Sequence, residues 1–247
     1  MTKIVIIIIL IAVLIVSCAV FQEHFQNETK RVCVVQFDTR MGTVENLDHL
    51  MFLNMRRCAK DTSCHYYFSS DNLGISPFWS KVKHVQNQLN NNYDYVMWMD
   101  TDAVIDLPDD LKLVDFIEHY IGDKDMLISN DMHPWDGSFN AGVWIVRNNE
   151  KGKEIIREWL NLYDHNLWKQ ENNKWTCPEQ EWAECPGYEQ GCFASNIINR
   201  YDNNISKVNW VILNNPYLDQ FEANQRGVIH HFAGHHKDRI NKYLEKT

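Results

Sequence analysis

The fold is decided by the stretch Tyr93-Asp94-Tyr95-Val96-Met97-Trp98-Met99-Asp100-Thr101-Asp102-Ala103-Val104-Ile105. Its apolar centre predicts a buried strand, and two acids separated by one residue follow directly. Open α/β sheets present ligand groups at the carboxyl ends of their parallel strands, and side chains two residues apart on extended chain point the same way. Asp100 and Asp102 therefore predict a site for Mn²⁺ or Mg²⁺, a cation that can neutralise a diphosphate. The alternative for so short a motif is a solvated turn, which its position after a hydrophobic strand disfavours.

Strand-like and helix-like segments alternate on both sides of this stretch, up to about Arg147. The alternation predicts an α/β class with a mainly parallel sheet flanked by helices. Expected strands span 31–37, 65–69, 95–99, 126–129 and 141–147, and expected helices span 47–57, 77–90, 111–121 and 151–163. Residues 166–187 are polar and rich in tryptophan, and we expect a loop there. Its tryptophans are expected to pack onto the domain, with stacking on a sugar acceptor as the alternative.

Length and charge limit the classes of function. With 247 residues and 45% hydrophobic content, the chain can bury one sizeable core, so we expect one catalytic-sized domain. The formal net charge of −9 opposes binding to phosphate backbones, and no long basic run offsets it. Nucleic acid is therefore not an expected partner.

An apolar run over residues 4–21 follows Lys3 and is long enough to cross a bilayer core. Because the positive charge precedes the run and acids follow it, we expect a single-pass type II membrane protein with a lumenal catalytic domain, as in the Golgi or ER. Two alternatives to an uncleaved anchor are cleavage near Ser17-Cys18-Ala19 by a signal peptidase and processing as a lipoprotein. Both would deliver the rest of the chain to the same side of the membrane. The expected organisation is an anchor at 1–21, a short stem at 22–30 and the catalytic domain at 31–247.

Cysteines and glycosylation sequons fit an oxidising lumen. Cys58 with Cys64, and Cys177 with Cys185, could each close a short disulfide loop, whereas Cys33 in an apolar run is expected to be a buried thiol. Two sequons also fit the secretory route: Asn27-Glu28-Thr29 and Asn204-Ile205-Ser206.

Five segments together resemble a known family. In chain order they are Pro77-Phe78-Trp79-Ser80-Lys81, Trp98-Met99-Asp100-Thr101-Asp102-Ala103, Phe139-Asn140-Ala141-Gly142-Val143-Trp144-Ile145-Val146-Arg147-Asn148, Tyr188-Glu189-Gln190 and His231-Phe232-Ala233-Gly234-His235-His236-Lys237. They resemble the nucleotide-diphospho-sugar transferases of the GT-A fold, above all glycosyltransferase family 34, over about residues 32–237. The resemblance implies a Rossmann-like GT-A domain that transfers a hexose or pentose from a nucleotide diphosphate sugar to a glycan or glycoconjugate acceptor, with retention.

The resemblance also implies a third metal ligand and a diphosphate contact at the C-terminal motif. His231 would join the two acids, with a structural histidine as the alternative, and the sequence names no partner for its second ring nitrogen. Gly234 would let backbone approach the pyrophosphate, and Lys237 would stabilise the charge that grows on it.

Near the reacting sugar, the resemblance implies three catalytic-region residues. Gln190 would stabilise positive charge at the anomeric carbon or orient the acceptor. Glu189 stands where the family more often has Asp, so the reach of its carboxylate differs; a helix N-terminus is its structural alternative. Asn140 would contact the donor sugar or the acceptor, and its alternative is a turn that enters the next strand.

Donor and acceptor contacts complete the expected site. Asp38, after the first strand, would bond the nucleotide base or ribose by analogy with the fold. Lys81 would reach the nucleotide from its helix, unless it merely solvates that helix. Asp131 and Asp136 are the expected acceptor contacts.

Two other classes of function compete with the transferase. A carbohydrate-binding protein with a degenerate transferase fold is disfavoured because Asp100, Asp102 and His231 are all present. A metal-dependent hydrolase of phosphate esters would need a second metal site, for which the sequence shows no suitably spaced cluster.

Overall fold

The structure is a computed structural model that describes residues 30–129, 139–172, 174–177, 184–208, 211–213, 228–232 and 237–245. The strands are β1 (Val32–Phe37), β2 (Cys64–Ser69), β3 (Tyr95–Met99), β4 (Ala103–Ile105), β5 (Met126–Ile128), β6 (Val143–Arg147), β7 (Lys169–Glu171), β8 (Lys174–Thr176), β9 (Ile205–Lys207), β10 (Val211–Leu213) and β11 (Ile229–His231). The α-helices are α1 (Glu45–Lys60), α2 (Pro77–Gln88), α3 (Leu113–Ile121), α4 (Glu150–Leu160), α5 (Glu189–Cys192), α6 (Ile198–Arg200) and α7 (Lys237–Leu244). A π-helical turn, Phe193–Ile197, joins α5 to α6, and a 3-10 turn spans Asp202–Asn204.

Six strands form the central sheet in the order β2-β1-β3-β6-β5-β9. The pairs β1/β2, β1/β3 and β5/β9 are parallel, whereas β6 runs antiparallel to β3 and to β5. The described residues therefore confirm the predicted α/β class with a mixed, mainly parallel sheet.

Helices cover both faces of this sheet, because the strands are apolar on both sides. Every residue of β1 is buried, and successive residues such as Val34 and Val35 belong to separate hydrophobic clusters. One cluster contains Trp79 of α2 and Trp159 of α4, and the other contains Ile117 of α3. The result is a three-layer arrangement with helices on both faces of the sheet.

A second, three-stranded sheet brings the C-terminal motif to the carboxyl end of β3. β4 pairs antiparallel with β11, which pairs in parallel with β10. In that register His231 lies opposite Ala103, one residue after the acidic pair. The pairing spans more than 120 residues of sequence and fixes the geometry of the candidate site.

The predicted elements up to β6 and α4 lie where the sequence places them, with ends that differ by up to three residues. The expected loop at 166–187 is wrong in part, because β7 and β8 form a two-stranded antiparallel hairpin there. The residues of this hairpin are mostly exposed, so the sequence lacks the apolar alternation that would predict these strands. Trp168 is buried in the core cluster, as the packing interpretation expects.

One of the two predicted disulfides is wrong. Cys58 and Cys64 are bonded and Cys33 is a buried free thiol, as expected. Cys185, however, bonds Cys192, which leaves Cys177 as a free thiol. The first turn of α5 brings the Cα atom of Cys192 to 4.4 Å from that of Cys185, a proximity that loop length alone does not reveal.

The predicted anchor at 1–21 and nearly all of the stem at 22–30 lie outside the described residues, so the three-part organisation stays a prediction. Among the helices that the structure does describe, none combines the length and apolarity needed to span a membrane.

A buried asparagine on α1 ties the sheet to the turn after β3. Asn54 is fully buried and donates to Ala103 O (2.9 Å) and Gln36 Oε1 (3.2 Å), while its own Oδ1 accepts from Ile105 N (2.9 Å). Each of these groups is therefore satisfied inside the core.

Replacing Asn54 by leucine is expected to lower the free energy of unfolding by about 2–4 kcal/mol, since two backbone groups of β4 lose their partner. Urea unfolding of the full chain measures this loss. Asn46→Leu on the same helix is the control, because Asn46 makes one exposed hydrogen bond, to Asn241, and should cost about 1 kcal/mol or less. Equal losses in the two variants would contradict the role assigned to Asn54.

Candidate active site

The two acids of the motif lie on a tight turn between β3 and β4. Ala103 N donates to Asp100 O (3.0 Å), and Gln36 Nε2 donates to the same carbonyl oxygen (2.9 Å). Asp100 and Asp102 are partly exposed, with 33% and 19% of their side chains accessible. These hydrogen bonds thus hold the turn in place, while both carboxylates remain partly accessible to solvent.

His231 comes to these carboxylates through the pairing of β11 with β4. Phe232 N donates to Asp102 O (2.9 Å), which fixes the end of β11 against the turn. The imidazole Nε2 lies 3.3 Å from Asp102 Oδ1 and 3.9 Å from Asp100 Oδ2. One ligand atom from each of the three residues lies within 4.8 Å of the other two. The structure therefore brings together the three residues that the sequence predicted as metal ligands.

The position of the imidazole depends on a glycine. A Cβ atom on Gly142 would lie 2.0 Å from Cε1 of His231, well inside contact distance. Gly142 O also accepts from Asp100 N (2.7 Å), so the same residue touches two members of the cluster. The absence of a side chain at Gly142 therefore makes room for the imidazole ring.

The donor set fits a divalent cation. Two carboxylates and one imidazole are ligands that Mn²⁺ accepts readily, whereas Mg²⁺ prefers oxygen alone. Burial would lower the pKa of His231, but Asp102 and then Asp100 outweigh it and raise that pKa. The carboxylates thus favour a positive charge at this position, which a bound cation would supply without a proton on the ring. His231 Nδ1 is buried and has no partner among the described residues.

A buried lysine connects the acidic pair to the start of α5. Lys81 Nζ lies 3.0 Å from Asp100 Oδ1 and 3.1 Å from Glu189 Oε1, with 10% of its side chain exposed. Burial opposes the charge on Lys81, but the two carboxylates dominate and raise its pKa. The pKa of Glu189 is also raised, because burial outweighs the effect of Lys81. Lys81 is therefore an internal counterion and does not merely solvate its helix.

Replacing Lys81 by methionine is expected to cost about 3–5 kcal/mol of stability, because it leaves Glu189 buried without its cation. Glu189→Gln in the same background removes the uncompensated charge and should recover much of the loss. Urea unfolding of the two variants and the wild type tests this, with Lys83→Met as the control on α2, because Lys83 Nζ donates to the neutral Gln86 on the same helix. A double variant as unstable as Lys81→Met would contradict the ion-pair interpretation.

The other predicted catalytic-region residues brace the segment that enters β6. Gln190 Oε1 accepts from Ala141 N (2.9 Å), and Asn140 Oδ1 accepts from Gly142 N (2.9 Å). Through this segment Gln190 and Asn140 support the glycine that faces His231. Their contacts with sugars stay predictions.

Asp38 also lies beside the turn. Its carboxylate accepts a hydrogen bond from Thr101, the residue between the two acids, and three from Arg40. Burial opposes the charge on Asp38, but these hydrogen bonds hold its pKa below the usual value.

The remaining predicted residues lie outside what the structure describes: Gly234, Asp131, Asp136 and the side chain of Lys237. Sequence reasoning missed other residues that contact the turn, namely Gln36, Asn54, Trp98 and Thr101. Trp98 Nε1, for example, donates to Asp100 Oδ1 (2.8 Å). A signal existed for Gln36, because a glutamine inside the apolar run of β1 requires a buried partner.

Comparison with solved structures gives the fold a name. The chain is similar to a glycosyltransferase involved in the glycosylation of the major capsid of PBCV-1, with 15% identity, a TM-score of 0.64, and coverage of 88% of this chain and 100% of the other. It is also similar to the apo form of the glycosyltransferase GlyE of Streptococcus pneumoniae TIGR4, with 12% identity and a TM-score of 0.52. That match covers 89% of this chain and 64% of GlyE.

No protein-family description and no curated protein matches the chain. Membership of family 34 therefore stays a prediction. At these identities the structural matches establish the architecture alone, and the chain has the GT-A-like fold of these glycosyltransferases.

Proposed function

We propose that this chain is a metal-dependent glycosyltransferase. It would move a hexose or pentose from a nucleotide diphosphate sugar to a glycan or glycoconjugate, with retention of configuration. The observation that supports the proposal most is the cluster of Asp100, Asp102 and His231 at the carboxyl end of β3, inside a fold that known glycosyltransferases share. This is the edge at which open α/β sheets bind ligands.

In this proposal Asp100, Asp102 and His231 hold Mn²⁺, with Mg²⁺ as the alternative. The cation supplies Lewis-acid stabilisation of the departing diphosphate. Lys81 holds the carboxylate of Asp100 through a 3.0 Å contact, so the orientation of this carboxylate is set before the donor binds. Gly142 keeps space for the ring of His231.

Glu189, at the start of α5, is linked to Asp100 through Lys81. Its Oε1 contacts Lys81, whereas its Oε2 is buried and without a partner among the described residues. A buried acceptor of this kind is costly unless a ligand satisfies it, and a hydroxyl of the donor sugar has the required chemistry. Gln190, Asn140, Gly234 and Lys237 keep the roles that the family resemblance implies, and Asp131 and Asp136 stay the proposed acceptor contacts.

The proposed setting is a secretory-pathway lumen, with the apolar run at 4–21 as a type II anchor. The disulfide between Cys58 and Cys64 supports an oxidising compartment. A glycan acceptor on a protein or lipid would be available there.

The test is turnover of nucleotide sugars by the full chain. We expect Mn²⁺-dependent release of a nucleoside diphosphate from at least one donor in a panel of hexose and pentose nucleotides, and faster release when an acceptor glycan is added. Chelation should abolish the release, and added Mn²⁺ should restore it. Binding of glycans without turnover of any donor would instead support a non-catalytic carbohydrate-binding protein.

A further inference from the structure

The hydrogen bonds of Asp38 single out Arg40, a residue outside the sequence motifs. A carboxylate offers about four acceptor positions. Asp38 Oδ1 accepts from Arg40 N (2.8 Å) and Arg40 Nε (2.9 Å), and its Oδ2 accepts from Arg40 Nη2 (2.7 Å) and Thr101 Oγ1 (2.7 Å). Since all four positions are used and Asp38 is 7% exposed, little of the carboxylate is left for a ligand.

Arg40, by contrast, keeps part of its guanidinium available for further hydrogen bonds. Half of its side chain is exposed (52%), and its Nη1 has no hydrogen-bond partner among the described residues. The two bonds to Asp38 hold one edge of the planar guanidinium and leave another edge turned toward solvent. Asp38 therefore orients Arg40 without covering it.

The loop that carries Arg40 is tied to the sheet and to α1. Arg40 O accepts from Thr43 N (2.9 Å), and Gly42 N donates to the carboxylate of Asp48 on α1. Gly42 has φ +77°, a left-handed conformation that glycine adopts without strain. A guanidinium on so constrained a loop loses little entropy when it binds an anion.

Arg40 is also adjacent to the acidic turn. Thr101 lies between Asp100 and Asp102 and donates to the same Asp38 oxygen that Arg40 contacts. The pKa of Arg40 is raised by its hydrogen bonds to Asp38 despite partial burial, and Asp102 and Asp100 contribute further. The carboxylates of the turn are thus close enough for their charge to act on the guanidinium.

We propose that Arg40 binds a phosphate group of the nucleotide donor, and that Asp38 and Thr101 are positioning residues that hold it beside the metal cluster. The proposal rests on the proposed function, because it assigns one contact within that donor site. A guanidinium matches a phosphate in charge and geometry and can contact it through two N–H groups. Asp38 would then act on the donor through Arg40.

The test measures the dissociation constants of a nucleoside, its monophosphate and its diphosphate by calorimetry, with Mn²⁺ present. The variants are Arg40→Gln, Arg40→Lys and Thr101→Val in the full chain, and the control is Arg56→Gln, which removes an equal charge from the exposed face of α1. We expect Arg40→Gln to weaken diphosphate binding about 10- to 100-fold, the range for a lost charge-assisted hydrogen bond. Nucleoside binding should stay within about twofold of wild type. Arg40→Lys and Thr101→Val should weaken diphosphate binding less than Arg40→Gln does, but more than the control does.

Equal weakening of nucleoside and diphosphate would overturn the phosphate assignment, and so would diphosphate affinity unchanged by both Arg40 substitutions. Should Arg40→Gln fail to fold, Arg40→Lys and Thr101→Val decide by the same comparison. If the wild type bound the diphosphate but the variants did not show the expected selective loss of diphosphate affinity, the Arg40 proposal alone would fail. A wild-type chain that bound no nucleoside diphosphate would contradict the proposed function as well.

Discussion

Replacing His231 by alanine is expected to weaken Mn²⁺ binding at least about 100-fold and to reduce metal-dependent donor turnover by at least the same factor. The imidazole Nε2 lies 3.3 Å from Asp102 Oδ1, so its loss leaves the cluster with carboxylates alone. His231 is 3% exposed and is one residue of a short strand. We therefore expect the fold to survive the loss of its ring. Calorimetric titration with Mn²⁺ measures the affinity, and urea unfolding checks the fold.

The neighbouring histidine provides a matched control. His230 points to the other side of β11, where Nε2 lies 3.1 Å from Asp106 Oδ2. His230→Ala should leave the affinity for Mn²⁺ within about twofold of wild type, since it removes no member of the cluster. Equal effects of the two substitutions would contradict the assignment of His231, as would an unchanged affinity in His231→Ala.

Adding one methyl group to Gly142 is expected to damage the site almost as much as removing His231. The new Cβ would lie 2.0 Å from Cε1 and 2.6 Å from Nε2 of that ring, so the imidazole must move away from the carboxylates. A displacement of about 1 Å in a preorganised site costs on the order of 100-fold in rate. We therefore expect Gly142→Ala to weaken Mn²⁺ binding and donor turnover by about 10- to 100-fold.

A double-mutant cycle tests whether Gly142 acts through His231. In the His231→Ala background the clash is gone, so Gly142→Ala should weaken Mn²⁺ binding by no more than about twofold further. Gly122→Ala is the control for glycine substitution in general. At φ +55° it strains the backbone, but its added Cβ would have no atom within 4 Å and so causes no clash. Full additivity of Gly142→Ala and His231→Ala would contradict the steric explanation.

Local sequence signals were sufficient for the central strand. The apolar run before Asp100 predicts β3 with its observed bounds, and the alternation around it predicts the layered fold. Pro77 marks the first turn of α2, where the structure has it. These inferences depend on periodicity and capping, which neighbours in sequence determine.

Contacts between distant segments were harder to foresee. The clash that makes Gly142 necessary follows from the register of β11 against β4, which no local pattern encodes. The choice between Cys177 and Cys192 as partner of Cys185 likewise depended on where α5 begins. For Lys81, helical spacing alone did not reveal that two acids lie across from it, so its role as a counterion required the structure.

In our proposal, Asp100, Asp102 and His231 hold the cation that binds the donor diphosphate. Diffraction from crystals of the full chain grown with Mn²⁺ and a nucleoside diphosphate, recorded at the manganese absorption edge, tests it most directly. We predict one anomalous peak within bonding distance of His231 Nε2 and of carboxylate oxygens of Asp100 and Asp102, with phosphate oxygens completing its coordination. A manganese peak elsewhere, or a diphosphate bound away from the carboxyl end of β3, would contradict the assignment of these three ligands.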